Sequence, residues 1–309
     1  MKFTAAVYGL GNIGRCAIEA LEIVPDFQCL GVIRRKESLG SKPNDLRGIP
    51  DFASFNDLIN KAGKPDVVLI ASPSRQVPDC AKQLLEQGVC TVDSFDIHDR
   101  IVEEAKKLDP IAKNNKVVGV ISAGWDPGSD SILRALFEAM VPKGTTFTNF
   151  GRGRSMGHSA AVRSMDGVAN ATSITIPMGG GRHSRLVYVV LKKGASLEKV
   201  KETIKNDPYF IHDPLEVREV TEEQLDFVAD ASHGVLMERV GSSGLTANQH
   251  LTFDMRIDNP ALTAQIMVSC ARAAIRLKQQ GIYGIQTMID IPPVLMLPGE
   301  RWENIGNLV

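Results

Sequence analysis

FTAAVYGLGNIGRCAIEALEIV (3–24) decides the fold. FTAAVY (3–8) is a short apolar run of strand length, and NIGRCAIEALEIV (12–24) repeats apolar residues at helical spacing. Between them GLGNIG (9–14) places glycines where a strand must turn sharply into a helix. Gly9 allows the tight turn, Gly11 lets the backbone approach a pyrophosphate, and Gly14 lets the helix pack on the strand. The N–H groups and dipole at the helix start then hold the anion. A lone GxGxxG recurs by chance in glycine-rich loops; here strand, glycines, helix and next strand fall in the order a dinucleotide site requires.

Outward from this loop, CLGVI (29–33), DVVLI (66–70), VCTV (89–92) and KVVGVI (116–121) read as buried parallel strands. Helical patterns at 77–88 and 99–115 alternate with them. The expectation is an α/β, Rossmann-type doubly wound parallel sheet over 1–122. After GWDPG (124–128) a helix at 129–140 gives way to alternating stretches at 146–150, 171–177, 185–194, 215–220, 234–240 and 250–257, with one helix at 197–207. That is an α+β domain with a mostly antiparallel sheet, expected over 123–258. A long helix at 259–281 and a proline-bearing tail complete a segment, 259–309, expected to return to the first domain.

The 309 residues suit two domains, and 43% hydrophobic content is ordinary for a globular chain. Lys+Arg 35 against Asp+Glu 36 argues against a polyanion or membrane-surface binder, so neither nucleic acid nor membrane is an expected partner. The five cysteines (16, 29, 80, 90, 270) include no CxxC pair, and the six histidines show no HxH or HExxH spacing. Reduced thiols, no metal and a cytoplasmic location are therefore expected. The N-terminal apolar stretch is broken by Gly9, too early for a signal-peptide core.

The end of the second strand selects the cofactor. An acidic residue there would bind a ribose hydroxyl; this chain reads IRRK (33–36), with Arg34 and Arg35 placed for a 2′-phosphate. At about 1.5–3 kcal/mol per charge-assisted contact, two contacts favour NADP over NAD by roughly two to four decades. In ASPSRQVP (71–78), Ser72 and Ser74 offer hydroxyls at the edge that faces the cofactor. VDSFDIHD (92–99) and GWDPG bring Asp93, Asp96, Trp125 and Asp126 to the same carboxyl edge, Asp93 on the cofactor side. Paired carboxylates beside a nicotinamide suit a substrate ammonium, and Asp96 and Asp126 are the candidate catalytic pair. Helix capping is the competing role for these aspartates, although Asp99 and Asp130 supply caps nearby. In the second domain FGRGRSMGHS (150–159), Thr175, GGGRHSR (179–185), SHG (232–234) and DNP (258–260) stand out; Arg185 and His233 are natural carboxylate binders.

Taken together, GLGNIGR (9–15), IRRK (33–36), TVDSFDIH (91–98), ISAGWDPGSDSI (121–132), NFGRGRSMGHS (149–159), DPYF (207–210), HGVLMER (233–239), NPALTAQ (259–265) and LPGE (297–300) resemble the meso-diaminopimelate dehydrogenases through essentially the whole chain. The resemblance implies NADP-dependent oxidative deamination of the D-centre of meso-2,6-diaminopimelate to L-2-amino-6-oxopimelate and ammonia, reversible toward lysine and cell-wall precursors. It places Asp96, Trp125 and Asp126 around the D-centre, and Phe150, Met156 and Gly157 beside it. Thr175, Arg185, His233 and Asn259 fall at the distal L-amino-acid end. Leu10, Gly11, Asn12, Ile13, Arg34, Arg35, Ser72, Pro73, Ser74, Arg75, Pro127, Gly128 and Ser131 fall around NADP. The chain lacks longer insertions and is similar to the compact branch, which includes enzymes acting on simple D-amino acids. A homodimer is expected, from the exposed strand edges of the second domain and from the resemblance.

Two other enzyme readings share the two-domain plan. Dihydrodipicolinate reductase is one; an aldose-type oxidoreductase is disfavoured because TVDSFD (91–96) stands where a catalytic lysine motif would be. From another class, an NADP-sensing protein without turnover would not need clustered Asp, Arg and His.

Overall fold

In the computed structural model, which describes residues 2–151, 153–179, 181–229 and 233–309, the opening stretch forms strand Phe3–Tyr8 and helix Asn12–Ile23. Arg152, Gly180 and Ser232, which fall within motifs quoted above, lie outside the described residues. The chain divides into two units, 1–135 with 260–309, and 136–259.

The first unit is built on a seven-stranded parallel sheet. Its order is Gly284–Gln286, Val118–Val120, Cys90–Asp93, Val67–Ile70, Phe3–Tyr8, Phe27–Ile33, Asp51–Phe52. All four residues of Val67–Ile70 are buried, as a strand covered on both faces requires. The core joins these strands to Ala17, Leu21, Leu84, Leu85, Met267 and Ala271 from flanking helices. Segment 36–63, which periodicity leaves unassigned, forms helices Pro43–Leu46 and Phe55–Ala62 and the edge strand Asp51–Phe52. Ser54 caps the second helix by accepting the Asp57 N–H at 3.1 Å.

The first unit runs on past 122, so the GWDPG loop and the start of helix Ser129–Met140 belong to it. From the other end it includes nearly all of helix Asn259–Gln279. Arg272 in that helix is 1% exposed. It forks onto Asp26, with Nε–Oδ2 at 2.5 Å and Nη2–Oδ1 at 2.8 Å, while its guanidinium lies 5.4 Å from the Phe27 ring centre. A buried guanidinium is tolerable only when paired and hydrogen-bonded in this way.

The second unit holds two sheets. One runs Leu215–Glu219, Arg182–Leu191, Val168–Gly179, Gly153–Ser155, antiparallel except for its first pair. The other is the antiparallel set Thr246–Ile257, His233–Ser243, Lys143–Phe150. Val162, Val168, Val187, Val189, Val200, Ile204 and Phe210 form its own small core. Among the described residues no helix is long and apolar enough to cross a membrane, and no cluster of three or more His, Cys, Asp or Glu is placed to hold a metal ion.

Candidate active site

The glycine loop meets the demands of a dinucleotide. Gly9 has φ +102°, and a Cβ there would lie 2.7 Å from the Ala71 carbonyl oxygen. A Cβ on Gly14 would lie 2.2 Å from the Gly9 oxygen, whereas one on Gly11 would meet nothing within 4 Å. The open space therefore lies over Gly11, which caps helix Asn12–Ile23 without a side-chain hydrogen bond. Backbone N–H groups left unpaired at a helix start suit a phosphate. Leu10 and Ile13 pack partly into the core, and Asn12 is exposed. At the next strand end the Ser72 hydroxyl is buried with no partner among the described residues, a polar atom a ligand would satisfy. Pro73 and Arg75 are exposed beside it.

Three expectations at this edge change. Arg34 is not held out for a phosphate: Nη1 donates to Ser41 O at 2.8 Å and Asp51 Oδ2 at 3.0 Å, and Nη2 to Ser41 Oγ at 2.8 Å. It braces the 38–41 loop, and the neighbouring Arg35 is exposed at this strand end. Ser74 donates its hydroxyl to Asp96 Oδ1 at 2.5 Å, so it orients a carboxylate. Asp93 is 2% exposed and accepts the N–H groups of Phe95 and Ser122 at 3.0 and 3.1 Å, stitching together the loops after two adjacent strands. Burial pushes its carboxyl up to about 6 despite those donors. Its role is structural, and the exposed Asp96 is the carboxylate this loop presents.

The GWDPG loop folds on itself. Gly124 N–H donates to Pro127 O at 3.1 Å, and a Cβ on Gly128, at φ +146°, would collide with Gly124. Ser131 Oγ accepts the Gly128 N–H at 3.2 Å, and Pro127 is half-buried. Trp125 is 4% exposed. Asp126, with 12% of its side chain exposed, stands 3.9 Å from Arg134 Nη1, while Arg134 Nη2 lies 2.6 Å from Asp130 Oδ2. Burial and then the neighbouring Asp126 carboxylate push Asp130 up to about 7. Sequence reasoning read Asp130 as a cap and passed over Arg134, although their four-residue spacing on a helix was visible.

In the second unit Arg185 and Thr175 are cross-strand partners. Arg185 Nη1 donates to Thr175 Oγ1 at 2.5 Å and Nε to Asp213 Oδ2 at 2.7 Å, and Nη2 lies 2.8 Å from His183 Nε2. The arginine therefore arrives with its own counter-ion; two of its five N–H groups remain. Asp213, just ahead of strand Leu215–Glu219, gave no sequence signal. Phe150 stands 6.0 Å from the His183 ring and 6.4 Å from that of His233. Met156 and Gly157 open helix Met156–Arg163, where Met156 Sδ accepts from Arg154, and Asn259 opens the long helix. His158 Nε2 faces the Tyr209 carbonyl at 3.0 Å and Nδ1 the Ser155 hydroxyl at 2.8 Å. A carbonyl only accepts, so the hydrogen sits on Nε2. Burial, then the Arg185 charge, hold this imidazole at about 4 and neutral.

A phosphate loop of this form on a parallel sheet, with acidic loops at its carboxyl edge, defines a nucleotide-binding α/β oxidoreductase. Residues 3–122 match the oxidoreductase family with an NAD-binding Rossmann fold, and residues 124–181 match the diaminopimelic acid dehydrogenase C-terminal domain. The chain is 48% identical over 308 residues to the meso-diaminopimelate D-dehydrogenase of Bacteroides fragilis, covering 100% of this chain and 99% of that one. Against the Corynebacterium glutamicum enzyme of the same name it is 30% identical over 324 residues, covering 98% and 97%. The solved C. glutamicum DAP dehydrogenase in complex with DAP superposes with a TM-score of 0.90 at 29% identity, over 100% of this chain and 99% of that one. An engineered D-amino acid dehydrogenase bound to NADP+ gives 0.86 at 27%, over 100% of both chains. The chain belongs to the meso-diaminopimelate D-dehydrogenase family, and the dihydrodipicolinate reductase and aldose-type readings fall away.

Proposed function

We propose that this protein catalyses the reversible, NADP-dependent oxidative deamination of the D-centre of meso-2,6-diaminopimelate, giving L-2-amino-6-oxopimelate and ammonia. The observation that carries the reading is the pair of acidic loops, bearing Asp96 and Asp126, after neighbouring strands of the dinucleotide-binding sheet. Membership of the family and the C. glutamicum structure with DAP support it.

The residues around Gly11 fit a dinucleotide: Leu10, Asn12, Ile13, Ser72, Pro73, Arg75, Pro127, Gly128 and Ser131 would surround it, with Arg35 toward a 2′-phosphate. When bound, the nicotinamide supplies a two-electron hydride acceptor. The protein orients and charges the substrate. Asp96, held by Ser74, and Asp126 take the ammonium of the D-centre, with Trp125 beside them. In the second unit Arg185, Thr175, His233 and Asn259 recognise the distal amino-acid end, and Phe150, Met156 and Gly157 shape the pocket. Loss of a proton from the amine frees the lone pair that expels hydride from Cα; water then hydrolyses the imine. In this reading the protein works as a cytoplasmic homodimer.

Reduced-nicotinamide absorbance tests the reading, with meso-, LL- and DD-diaminopimelate and several D-amino acids, each with NADP and with NAD. The expected result is fastest turnover of the meso isomer with NADP. Turnover of a sugar or an L-amino acid without the meso isomer sinks the assignment, and equal use of NAD sinks the cofactor preference. Activity on simple D-amino acids would mark the broad specificity of the compact branch.

A further inference from the structure

Asp130 is the second residue of helix Ser129–Met140 and is fully buried, at 0% exposure. Its backbone N–H donates to Trp125 O at 3.0 Å, which curls the loop so that Asp126 and Asp130 both face the Arg134 guanidinium. A capping carboxylate would accept backbone N–H groups, but the Asp130 side chain accepts none among the described residues. It meets the Ser131 hydroxyl at 3.4 Å and the Arg134 guanidinium at 2.6 Å, and the same guanidinium lies 3.9 Å from Asp126 Oδ1, so the two carboxyls are gathered on one cation. Two carboxyls held at one guanidinium, one of them fully buried, favour the state in which one of them keeps a proton. The charged groups acting on Asp130 are Asp126, from the loop, and Arg134, from its own helix. With one shared proton the trio is neutral; without it the trio carries one negative charge at the place where a carboxylate meets solvent.

We propose that Asp130 is a positioning residue of the reaction: buried behind Asp126, it shares the proton that the substrate ammonium gives up, while Arg134 holds the two carboxyls together. The inference rests on Asp126 meeting that ammonium. One N–H bond of the ammonium breaks and its electron pair stays on nitrogen. The proton bonds to a carboxylate oxygen of Asp126 and is shared with Asp130. The nitrogen pair then forms C=N as hydride carries two electrons from Cα to the oxidised nicotinamide. Water adds to the imine and ammonia departs; in the reverse direction the stored proton returns to nitrogen. A lone solvated aspartate, with a pKa of about 4, is a feeble base for this step. Asp130, whose carboxyl burial and the neighbouring Asp126 push up to about 7, is a better proton store behind it.

The test has two arms. In protein labelled with ¹³C at the aspartate carboxyls and free of substrate, one titration near pH 7 should vanish in both Asp130→Asn and Asp126→Asn. Asp93, the other raised carboxyl, should persist in both. Kinetically, the acid limb of kcat/KM for deamination should move down by at least about one pH unit in Asp130→Asn. Its kcat should fall roughly tenfold or more while KM for meso-diaminopimelate stays within about threefold. A folded Asp130→Asn enzyme with an unmoved limb and kcat within about twofold overturns the proposal alone. Wild-type turnover in Asp126→Asn overturns the underlying reading and this one with it. Should Asp130→Asn not fold, the wild-type titration decides: no carboxyl near pH 7 assignable to the pair refutes the proposal.

Discussion

In the loops after the Rossmann strands two carboxylates share one cation: Arg134 lies 3.9 Å from Asp126 and 2.6 Å from Asp130, while Asp96 is exposed on the neighbouring loop. In the second unit Arg185 is matched from the start by Asp213, 2.7 Å away. In the proposed reading the first arrangement has a charge vacancy suited to an ammonium, whereas the second is already neutral and would recognise a carboxylate by directed hydrogen bonds more than by attraction.

The largest expected effect tests the first half of that contrast. Asp126→Asn should lower kcat/KM for meso-diaminopimelate by about 10²–10⁴, with a melting temperature within roughly 4 °C of wild type. A collapse in thermal stability would instead make Asp126 a structural cap. Next comes Arg185→Met, which should raise KM for meso-diaminopimelate by about 10–100-fold and spare small D-amino acids with no distal group. Adding Asp213→Asn should restore lost stability, since it removes the unpaired carboxylate, but not KM. If KM recovers, Asp213 is an obstacle rather than a partner.

A smaller effect is expected from Arg35, an exposed cation at the end of the second strand. Arg35→Ala should raise KM for NADP about tenfold and leave that for NAD unchanged. Arg34→Ala should weaken both cofactors alike, because its guanidinium holds the 38–41 loop through Ser41 and Asp51. A purely NADP-specific loss in Arg34→Ala would return that residue to the phosphate.

The smallest effect is one of acidity, and the two units differ in its sign. Asp93 is raised to about 6, so its contribution to stability is complete below the ordinary aspartate range and is lost as pH rises toward 6. His158 is lowered to about 4, so its contribution is complete above the ordinary histidine value and is lost as pH falls from about 6.5 toward 4. Urea unfolding at pH 4.5 and 7.5 should show His158→Gln flattening the acid-side loss and Asp93→Asn flattening the opposite trend. Identical pH slopes in both variants would erase the distinction.

Much of this was readable in the residues. GLGNIG between a strand and a helix declared the dinucleotide loop, and the change from helical to alternating periodicity after GWDPG declared a second unit of another class. Helix Ser129–Met140 was legible to the residue because SDSILRALFEAM keeps one apolar stripe. The elements of 36–63 escaped because pieces of two, four and eight residues are too short to show a period. Arg34 looked like a phosphate ligand because its restraint, Asp51, is 17 residues away and joins it only through strand pairing. Asp213 was invisible for the same reason: nothing in DPLEV says which arginine lies across the sheet.

The fork between Arg272 and Asp26 carries a consequence for how the chain comes into being. On the ribosome, Asp26 emerges 246 residues before its buried partner Arg272. The Rossmann sheet must wait, open along the edge that Gly284–Gln286 will close, while the whole intervening unit is synthesised. A nascent chain halted anywhere before that helix holds an acidic residue beside Phe27 with no cation to meet it, so release of the finished polypeptide, and not the first turn of the glycine loop, completes the nucleotide site's foundation.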